Sequence, residues 1–170
     1  RRRRQDLRHQ VEAAPGTANL VREAGHEVAA HTQRHLHAWN SMPWTSYTDV
    51  VRGYRTLAPW LSERARFRPP YGKLNIGSWA AAALGGAPID WWTIDSGDTW
   101  AALPAPESVA ERVVRERGGV VLLHDFDRES AFSERADFVL EATDRVINRA
   151  RQAGLGFGTM SELMQRDPSQ

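Results

Sequence analysis

Two histidines four residues apart, His31 and His35, are the first residues of the chain whose type and spacing could do chemistry. On one turn of helix, this spacing would place both imidazoles on the same face, where they could share a metal ion. The chain contains no cysteine, so any metal would be held by histidines and carboxylates. Because His31 directly follows a short predicted strand, we favour a metal site over a pair of surface histidines, and we interpret His26 and His37 as structural or solvated.

A further histidine, His124, closes the aliphatic segment 120–123. A histidine at the end of a buried strand is either a satisfied core residue or, beside a carboxylate, a general acid or base. Asp95 and Asp98 follow the apolar residue Ile94, and either of them could orient the imidazole of His124.

Arg68 stands before two prolines in the segment 68–72, Arg-Pro-Pro-Tyr-Gly. Proline fixes its own φ and restricts the residue before it, so the backbone that carries Arg68 is stiff. A rigidly placed guanidinium suits a carboxylate partner. Local sequence leaves this interpretation and a surface ion pair equally open.

The elements that must position these residues alternate between strands and helices. Apolar runs predict strands, and helical spacing with Gly and Pro breaks predicts helices. The predicted strands are 27–30, 65–68, 89–94, 120–123 and 156–160. The predicted helices are 17–24, 47–61 capped by Thr45 or Ser46, 76–84 capped by Asn75, 106–117, 133–153 and a terminal helix from Ser161. This order implies parallel strands with crossover helices, whose functional sites form at the carboxyl ends of the strands.

Composition excludes several classes of protein. The chain has 170 residues, the size of one domain, and 22 basic against 21 acidic residues, which argues against a nucleic-acid partner. The basic run 1–4 is interpreted as a solvated terminus. The sequence contains no apolar stretch of about 18 residues, which a membrane span requires. It also contains no signal peptide pattern. Seven tryptophans hint at sugar stacking, although buried tryptophans are commoner.

Four motifs in this order resemble the polysaccharide deacetylase family, also called the NodB-homology domain or carbohydrate esterase family 4 (CE4). They correspond to the family's Gly-His-Glu lead into His-Ser/Thr-x-x-His, its Arg-Pro-Pro-Tyr-Gly, its Asp-x-x-Asp-Trp and its Leu-x-His motifs. In this chain they are 24–35 (AGHEVAAHTQRH), 68–72 (RPPYG), 92–98 (WTIDSGD) and 122–125 (LLHD). The resemblance implies one α/β domain over 1–170 with a barrel-like (β/α), TIM-like fold, whose motif-bearing part is 24–125.

The resemblance also implies a reaction. The enzyme would be a hydrolase that removes N-acetyl or O-acetyl groups from a polysaccharide, acting on carbon–nitrogen bonds other than peptide bonds. His31 and His35 would bind a divalent metal, zinc or alternatively cobalt, whose bound water attacks the acetyl carbonyl. The backbone N–H of Tyr71 would stabilise the oxyanion. His124 would be the general acid, tuned by Asp98 rather than Asp95.

Substrate contacts and location follow from the same resemblance. Leu122 would line the pocket for the acetyl methyl group, Pro70 would contact substrate, and Trp100 and Trp92 would wall the sugar groove. The partner would be an acetylated polysaccharide or oligosaccharide. A cell-envelope or secreted location is suggested, with a cytoplasmic one still open.

The chain departs from the family pattern at two places. Thr99 separates Asp98 from Trp100, where the family has Trp directly after the aspartate. The family's first motif, Thr-Phe-Asp-Asp-Gly, supplies the catalytic base and a third metal ligand, and nothing in 1–25 matches it, Asp6 being the only aspartate there. We therefore expect an incomplete, distorted barrel without the first one or two βα units, in which Arg68 lacks its carboxylate partner.

These departures leave three hypotheses. The first is a deacetylase whose activity as this chain alone is in question. The second is a catalytically impaired carbohydrate-binding or partner-binding module that lacks the base but keeps a Trp-rich groove. The third is a structural flavodoxin-like α/β domain, in which His31, His35 and His124 would lie far apart and bind no metal.

Overall fold

The computed structural model of the chain describes residues 7–8, 11, 14–62, 65–125 and 133–165. The basic run 1–4 and Asp6 therefore lie outside the described residues. Within the described ranges, the helices and strands are α1 (Pro15–Glu23), α2 (Pro43–Leu57), α3 (Ile76–Leu84), β1 (Ile94–Asp95), α4 (Pro106–Arg115), β2 (Val121–Leu122), α5 (Ser133–Gln152) and α6 (Met160–Leu163). None of the helices in these ranges has the length and apolar character needed to cross a membrane.

The chain forms two compact units. Unit 1 comprises 1–91 and 158–170, and unit 2 comprises 92–157. The four motifs are divided between them, since the two that contain His31 and Arg68 belong to unit 1 and the two that contain Asp98 and His124 belong to unit 2.

Three extended segments of unit 1 lie side by side and parallel. Phe67 is the middle residue, bridged to Ala30 on one side and to Ile89 on the other. Ala30, Phe67 and Val50 are fully buried, and with Ala81 and Ala82 they form the core between these segments and the helices α2 and α3. The carboxyl ends of the first two segments therefore place His31 and Arg68 at one edge.

A buried ion pair supports the middle segment. The guanidinium of Arg66 binds Asp90 through two hydrogen bonds of 2.6 and 2.5 Å, and both side chains are almost fully buried. The paired geometry compensates for the removal of two charges from water. Arg66 precedes Phe67 and Arg68, so the pair holds the segment that enters the Arg-Pro-Pro-Tyr-Gly turn.

The start of α3 packs tightly against the start of α2. Asn75 caps α3 by accepting a hydrogen bond from the Ser78 backbone N–H at 3.0 Å, and the Ser78 hydroxyl completes a capping box. A Cβ added to Gly77 would lie 1.7 Å from the carbonyl oxygen of Pro43, so only glycine permits this approach. The amide of Asn75 also donates to the carbonyl of Ala38 at 2.8 Å, which ties α3 to the turn that follows the histidine pair.

Unit 2 is built on two parallel strands and two packed helices. Ile94 pairs with Val121 and Asp95 with Leu122. The helices α4 and α5 cover these strands, and their shared core consists of Ile94, Val109, Val113, Phe138, Ala142 and Ala150. The predicted helices of this unit are confirmed to within two residues at their carboxyl ends, because Gly118 and Gly154 with positive φ follow them closely.

Several predicted boundaries are wrong. The second helix begins at Pro43 rather than Tyr47 and ends at Leu57, because proline is favoured in the first turn of a helix. The segments 27–30 and 65–68 form only the single bridge residues Ala30 and Phe67, and 156–160 contains no strand. The run 89–94 is not one strand: Trp91 is 44% exposed, and the regular strand begins only at Ile94.

Candidate active site

His31 is fixed by its neighbour on the middle segment of unit 1. Its Nδ1 lies 2.7 Å from the carbonyl oxygen of Arg68. A carbonyl only accepts hydrogen bonds, so Nδ1 carries the proton and Nε2 is the basic nitrogen of the ring. This is the arrangement of a metal-binding histidine whose other nitrogen is held by a backbone carbonyl.

His35 reaches His31 through an irregular loop, and the prediction of a helical turn is wrong. Thr32 and His35 both have positive φ, at 68° and 53°, and the His35 N–H donates to the Thr32 hydroxyl at 3.0 Å. The two imidazoles nevertheless meet, with ring centroids 4.8 Å apart and an angle of 66° between the ring planes. A non-glycine residue in this conformation costs about 1–3 kcal/mol, so the surrounding structure must hold the loop.

Helix α2 provides that support. Asp49, 1% exposed, accepts from the backbone N–H of Arg34 at 3.2 Å and from its Nε at 2.9 Å. One turn later, a Cβ on Gly53 would lie 2.7 Å from the backbone carbon of Thr32. Sequence reasoning missed both residues, although an aspartate directly before the apolar pair Val50-Val51 on the buried face of a helix is a recognisable signal.

The Arg-Pro-Pro-Tyr-Gly turn places Tyr71 beside the histidines. Tyr71 has a positive φ of 56°, and its ring centroid lies 4.8 Å from that of His35. Pro70 is buried. Its expected contact with substrate stays a prediction. The positive φ turns the backbone of Tyr71 out of the regular path, which is compatible with the predicted role of its N–H.

Arg68 has a buried nitrogen that is not satisfied. Its Nε has no hydrogen-bond partner within the part of the chain that the structure describes. Leaving a buried donor unpaired costs about 1–3 kcal/mol, and more for a charged group. A carboxylate is the partner that such a guanidinium would bind best.

In unit 2, His124 is held by Asp98. The carboxylate of Asp98 accepts a hydrogen bond from the backbone N–H of His124 at 2.6 Å and one from Nδ1 of its ring at 2.9 Å. Asp98 is fully buried. The tautomer therefore has its proton on Nδ1 in the neutral ring, and Nε2 is the atom that exchanges a proton.

The pKa of Asp98 is lowered despite its burial. Burial favours the neutral acid and raises the pKa, but hydrogen bonds from the side chain and backbone of His124, the charge of His124 and a hydrogen bond with Ser96 together outweigh it. Asp98 therefore stays a carboxylate at neutral pH, ready to stabilise a positively charged imidazolium.

Asp95 has a different task. Its carboxylate accepts from the backbone N–H of Gly97 at 2.9 Å, which closes a turn in which Gly97 has a φ of 78°. The exposed ring of Trp100 lies over this turn, since a Cβ on Gly97 would come within 3.1 Å of it. Of the two carboxylates left open by the sequence, the structure brings Asp98 to His124.

Arg135 on α5 was missed by sequence reasoning. Its guanidinium donates to the carbonyl oxygens of Asp98 and Trp100, the latter at 2.7 Å. These contacts tie the segment that contains both residues to the helix. Nothing in the sequence around Arg135 distinguishes it from the other arginines of α5.

The remaining substrate residues lie on unit 2. Leu122 is half-buried in β2, opposite Asp95, and Trp92 is half-buried before β1. Their expected contacts with an acetyl group and a sugar stay predictions, as does the role of Trp100.

The histidine pair fits part of a metal site. Catalytic zinc is commonly held by three protein ligands, and His31 with His35 supplies two imidazoles of the right kind. Among the residues that the structure describes, no group of three or more His, Cys, Asp or Glu side chains is placed to hold a metal ion.

One protein family and one relative of similar sequence are both described as deacetylases. The profile of the family described as polysaccharide deacetylase matches residues 7–88. Over 156 residues, the chain is 30% identical to the peptidoglycan-N-acetylglucosamine deacetylase of Bacillus cereus, an alignment that covers 91% of this chain and 70% of that relative.

Two solved structures share the fold. A CE4 family pseudoenzyme from Bacillus anthracis has a TM-score of 0.73 at 22% identity. The match includes 91% of this chain and 52% of the pseudoenzyme, so this chain spans about half of that protein's length. A family 4 carbohydrate esterase from Streptomyces lividans, solved with acetate, has a TM-score of 0.72 at 24% identity over 91% of this chain and 76% of its own. These likenesses confirm the barrel-like (β/α) fold class and contradict a flavodoxin-like domain, whereas the expectation of an incomplete barrel stays a prediction.

Proposed function

Because the chain belongs to the polysaccharide deacetylase family, we propose that it carries the metal and acid sites of a hydrolase that removes acetyl groups from an N-acetylated glycan. The observation that carries the proposal is the contact between His31 and His35, whose rings meet at 4.8 Å on a loop that needs two positive φ angles. A loop of that conformation is costly, and such costs concentrate at functional sites.

His31 and His35 would hold the metal. Imidazoles are suitable ligands for zinc, with cobalt as a substitute. When bound, the ion would polarise the acetyl carbonyl and activate water. The contact between His31 Nδ1 and the carbonyl of Arg68 keeps Nε2 as the ligand atom and orients the ring.

His124 would protonate the departing amine. Nε2 would deliver the proton, because Nδ1 is bound to Asp98, and the buried carboxylate would stabilise the charged ring before the transfer. The N–H of Tyr71 would donate to the developing oxyanion. Leu122 would contact the acetyl methyl group, and Trp100, Trp92 and Pro70 would contact the sugar.

The proposal also requires a carboxylate that binds the guanidinium of Arg68. The buried Nε of Arg68 has no partner among the described residues, and no counterpart of the Thr-Phe-Asp-Asp-Gly motif occurs in 1–25. We infer that a segment with this motif would supply the base and the third ligand. Without a general base, the rate would fall by about 10²- to 10⁴-fold.

The test compares two proteins. The chain, and the chain joined to a segment that contains the Thr-Phe-Asp-Asp-Gly motif, are assayed with zinc or cobalt on N-acetylglucosamine oligomers and peptidoglycan fragments. Acetate release is the readout. We expect weak or no turnover for the chain and at least about 100-fold more for the joined protein. The matched control joins the same segment with its aspartates changed to asparagine. An inert joined protein that binds zinc would contradict the proposal.

A second candidate is a carbohydrate-binding module without turnover. The two-histidine partial metal site and the likeness to a pseudoenzyme favour it. It predicts measurable binding of glycan fragments by calorimetry in the absence of metal, and no acetate release from the joined protein. Absence of binding to neutral and acidic glycans, with and without zinc, would count against it.

A further inference from the structure

A line of aromatic rings runs outward from the histidine pair within unit 1. The ring of His35 contacts Tyr71 at 4.8 Å between centroids, Tyr71 contacts His37 at 4.9 Å, and His37 contacts Trp39 at 6.2 Å. The proposed reaction uses the first two of these residues. It gives no task to His37 or Trp39, which the sequence did not single out as binding residues.

Trp39 is both exposed and fixed. Its side chain is 66% exposed, yet its Nε1–H donates to the carbonyl of Leu74 at 3.0 Å. The turn that carries it, Ala38–Asn40, is tied to α3 by the hydrogen bond from Asn75 to the carbonyl of Ala38. An aromatic ring held in this way loses little conformational entropy when a ligand stacks on it.

A lysine side chain accompanies this ring. The ammonium of Lys73 lies 4.4 Å from the centroid of Trp39, and Lys73 is the only lysine in the chain. It directly follows the Arg-Pro-Pro-Tyr-Gly turn, so its backbone is tied to the candidate active site. The ammonium lies over one face of an exposed indole, so a ligand that stacks on the exposed part of the ring would meet a positive charge next to an apolar surface.

We propose that Trp39 and Lys73 form a glycan subsite, apart from the reacting centre, that takes a sugar ring bearing a carboxylate. The apolar face of the sugar would stack on the indole, and the carboxylate would bind the ammonium. The inference rests on the proposed function, since the line of rings connects this subsite to the histidine pair. It adds a preference for acidic glycans, which the metal and acid sites do not provide.

The test measures binding to the whole chain by calorimetry, without turnover. The ligands are a neutral N-acetylglucosamine oligomer, an alternating oligomer whose second sugar carries a lactyl carboxylate, and an oligomer of galacturonic acid. We expect the acidic ligands that fit to bind about two- to fivefold more tightly than the neutral one, as for an exposed ion pair. Lys73→Gln should remove this preference, whereas Trp39→Ala should weaken every ligand about tenfold.

Trp44→Ala is the matched control, because Trp44 is an equally exposed tryptophan of the same unit that is not part of the line of rings. A second measurement uses the single lysine: reductive methylation with ¹³C-formaldehyde gives one side-chain probe, whose resonance should shift with acidic ligands only. The two acidic oligomers show whether the lactyl or the uronic carboxylate is preferred.

The outcomes separate the subsite from the proposed function. Equal binding of neutral and acidic ligands that neither variant alters would overturn the subsite and leave the hydrolase standing. The expected pattern of binding in a protein that never releases acetate would support the subsite and count against the hydrolase. No binding of any glycan would overturn the subsite, while acetate release by the joined protein would still decide the hydrolase.

Discussion

The two histidine centres are held by opposite structural means. In unit 1, His31 and His35 come together through an irregular loop with positive φ at Thr32 and His35, and the support comes from a helix behind it. In unit 2, His124 follows a regular parallel strand and is held directly by the buried carboxylate of Asp98. The first centre depends on packing and backbone shape, and the second on charge.

This difference determines how each centre should fail. A loop with costly backbone angles relaxes when its support is removed, so distant substitutions should disturb it. A pair of side chains joined by hydrogen bonds should respond to pH and to changes of charge. Four substitutions test this contrast.

The largest effect is expected for Asp49→Ala. The substitution removes a buried carboxylate that accepts two hydrogen bonds from Arg34 and leaves a part-buried backbone N–H unpaired, so the free energy of unfolding should fall by about 3 kcal/mol. Zinc affinity should fall with it, because the loop no longer holds His31 and His35 together. Denaturant unfolding and zinc calorimetry measure the two effects. The control is Asp144→Ala on the exposed face of α5. If the folded Asp49→Ala protein bound zinc as tightly as the native chain, Asp49 would not be the support of the loop that carries His31 and His35.

The next effect is expected for Asp98→Asn, at about 2 kcal/mol at neutral pH, since a buried carboxylate that receives charge-assisted hydrogen bonds is neutralised. The pKa of Asp98 is lowered in the folded protein, so its ionised form contributes stability above the unfolded pKa of about 3.9. That contribution is lost as pH falls through the lower folded pKa. The difference in stability between the native chain and the variant should therefore shrink in acid, and a difference that stays constant from pH 7 to pH 3 would show that charge is not its cause.

Gly53→Ala should have a smaller effect, about 1–2 kcal/mol, confined to unit 1. The new methyl group would lie 2.7 Å from the backbone of Thr32, and overpacking is only partly offset by the better helix propensity of alanine. The rate of backbone amide hydrogen exchange should rise in the segment 31–35 and stay unchanged at 94–98. Gly16→Ala on α1, where nothing lies within 4 Å of the added Cβ, is the control and should be neutral or stabilising.

The smallest effect is expected for Arg135→Gln, about 1 kcal/mol, because the hydrogen bonds of Arg135 to other described residues go to the backbone carbonyls of Asp98 and Trp100. As a positioning residue it should alter the environment of the His124 ring, so the ring proton resonances should shift. Arg145→Gln, which removes exposed contacts with Glu107 and Glu141, should leave those resonances unchanged. Identical ring resonances in both variants would show that Arg135 is merely structural.

The helices illustrate what local signals can predict. Asn75 marked the start of α3, and Gly118 and Gly154 marked where α4 and α5 stop, because caps and positive-φ positions depend on neighbours in the chain. The strands were predicted less well. Ala30 and Phe67 are bridge residues rather than strands, and whether an apolar segment pairs along its length depends on a partner distant in sequence.

The amino-acid sequence alone determined the family, the order of its motifs and which histidines and carboxylates could react, because these depend on residue type and spacing. Only the tertiary structure decided that His31 and His35 meet across a loop rather than on a helix. It also decided that Asp49, Gly53 and Arg135 hold the two centres. These last facts rest on contacts between residues far apart in the chain, which residue type and local spacing do not specify.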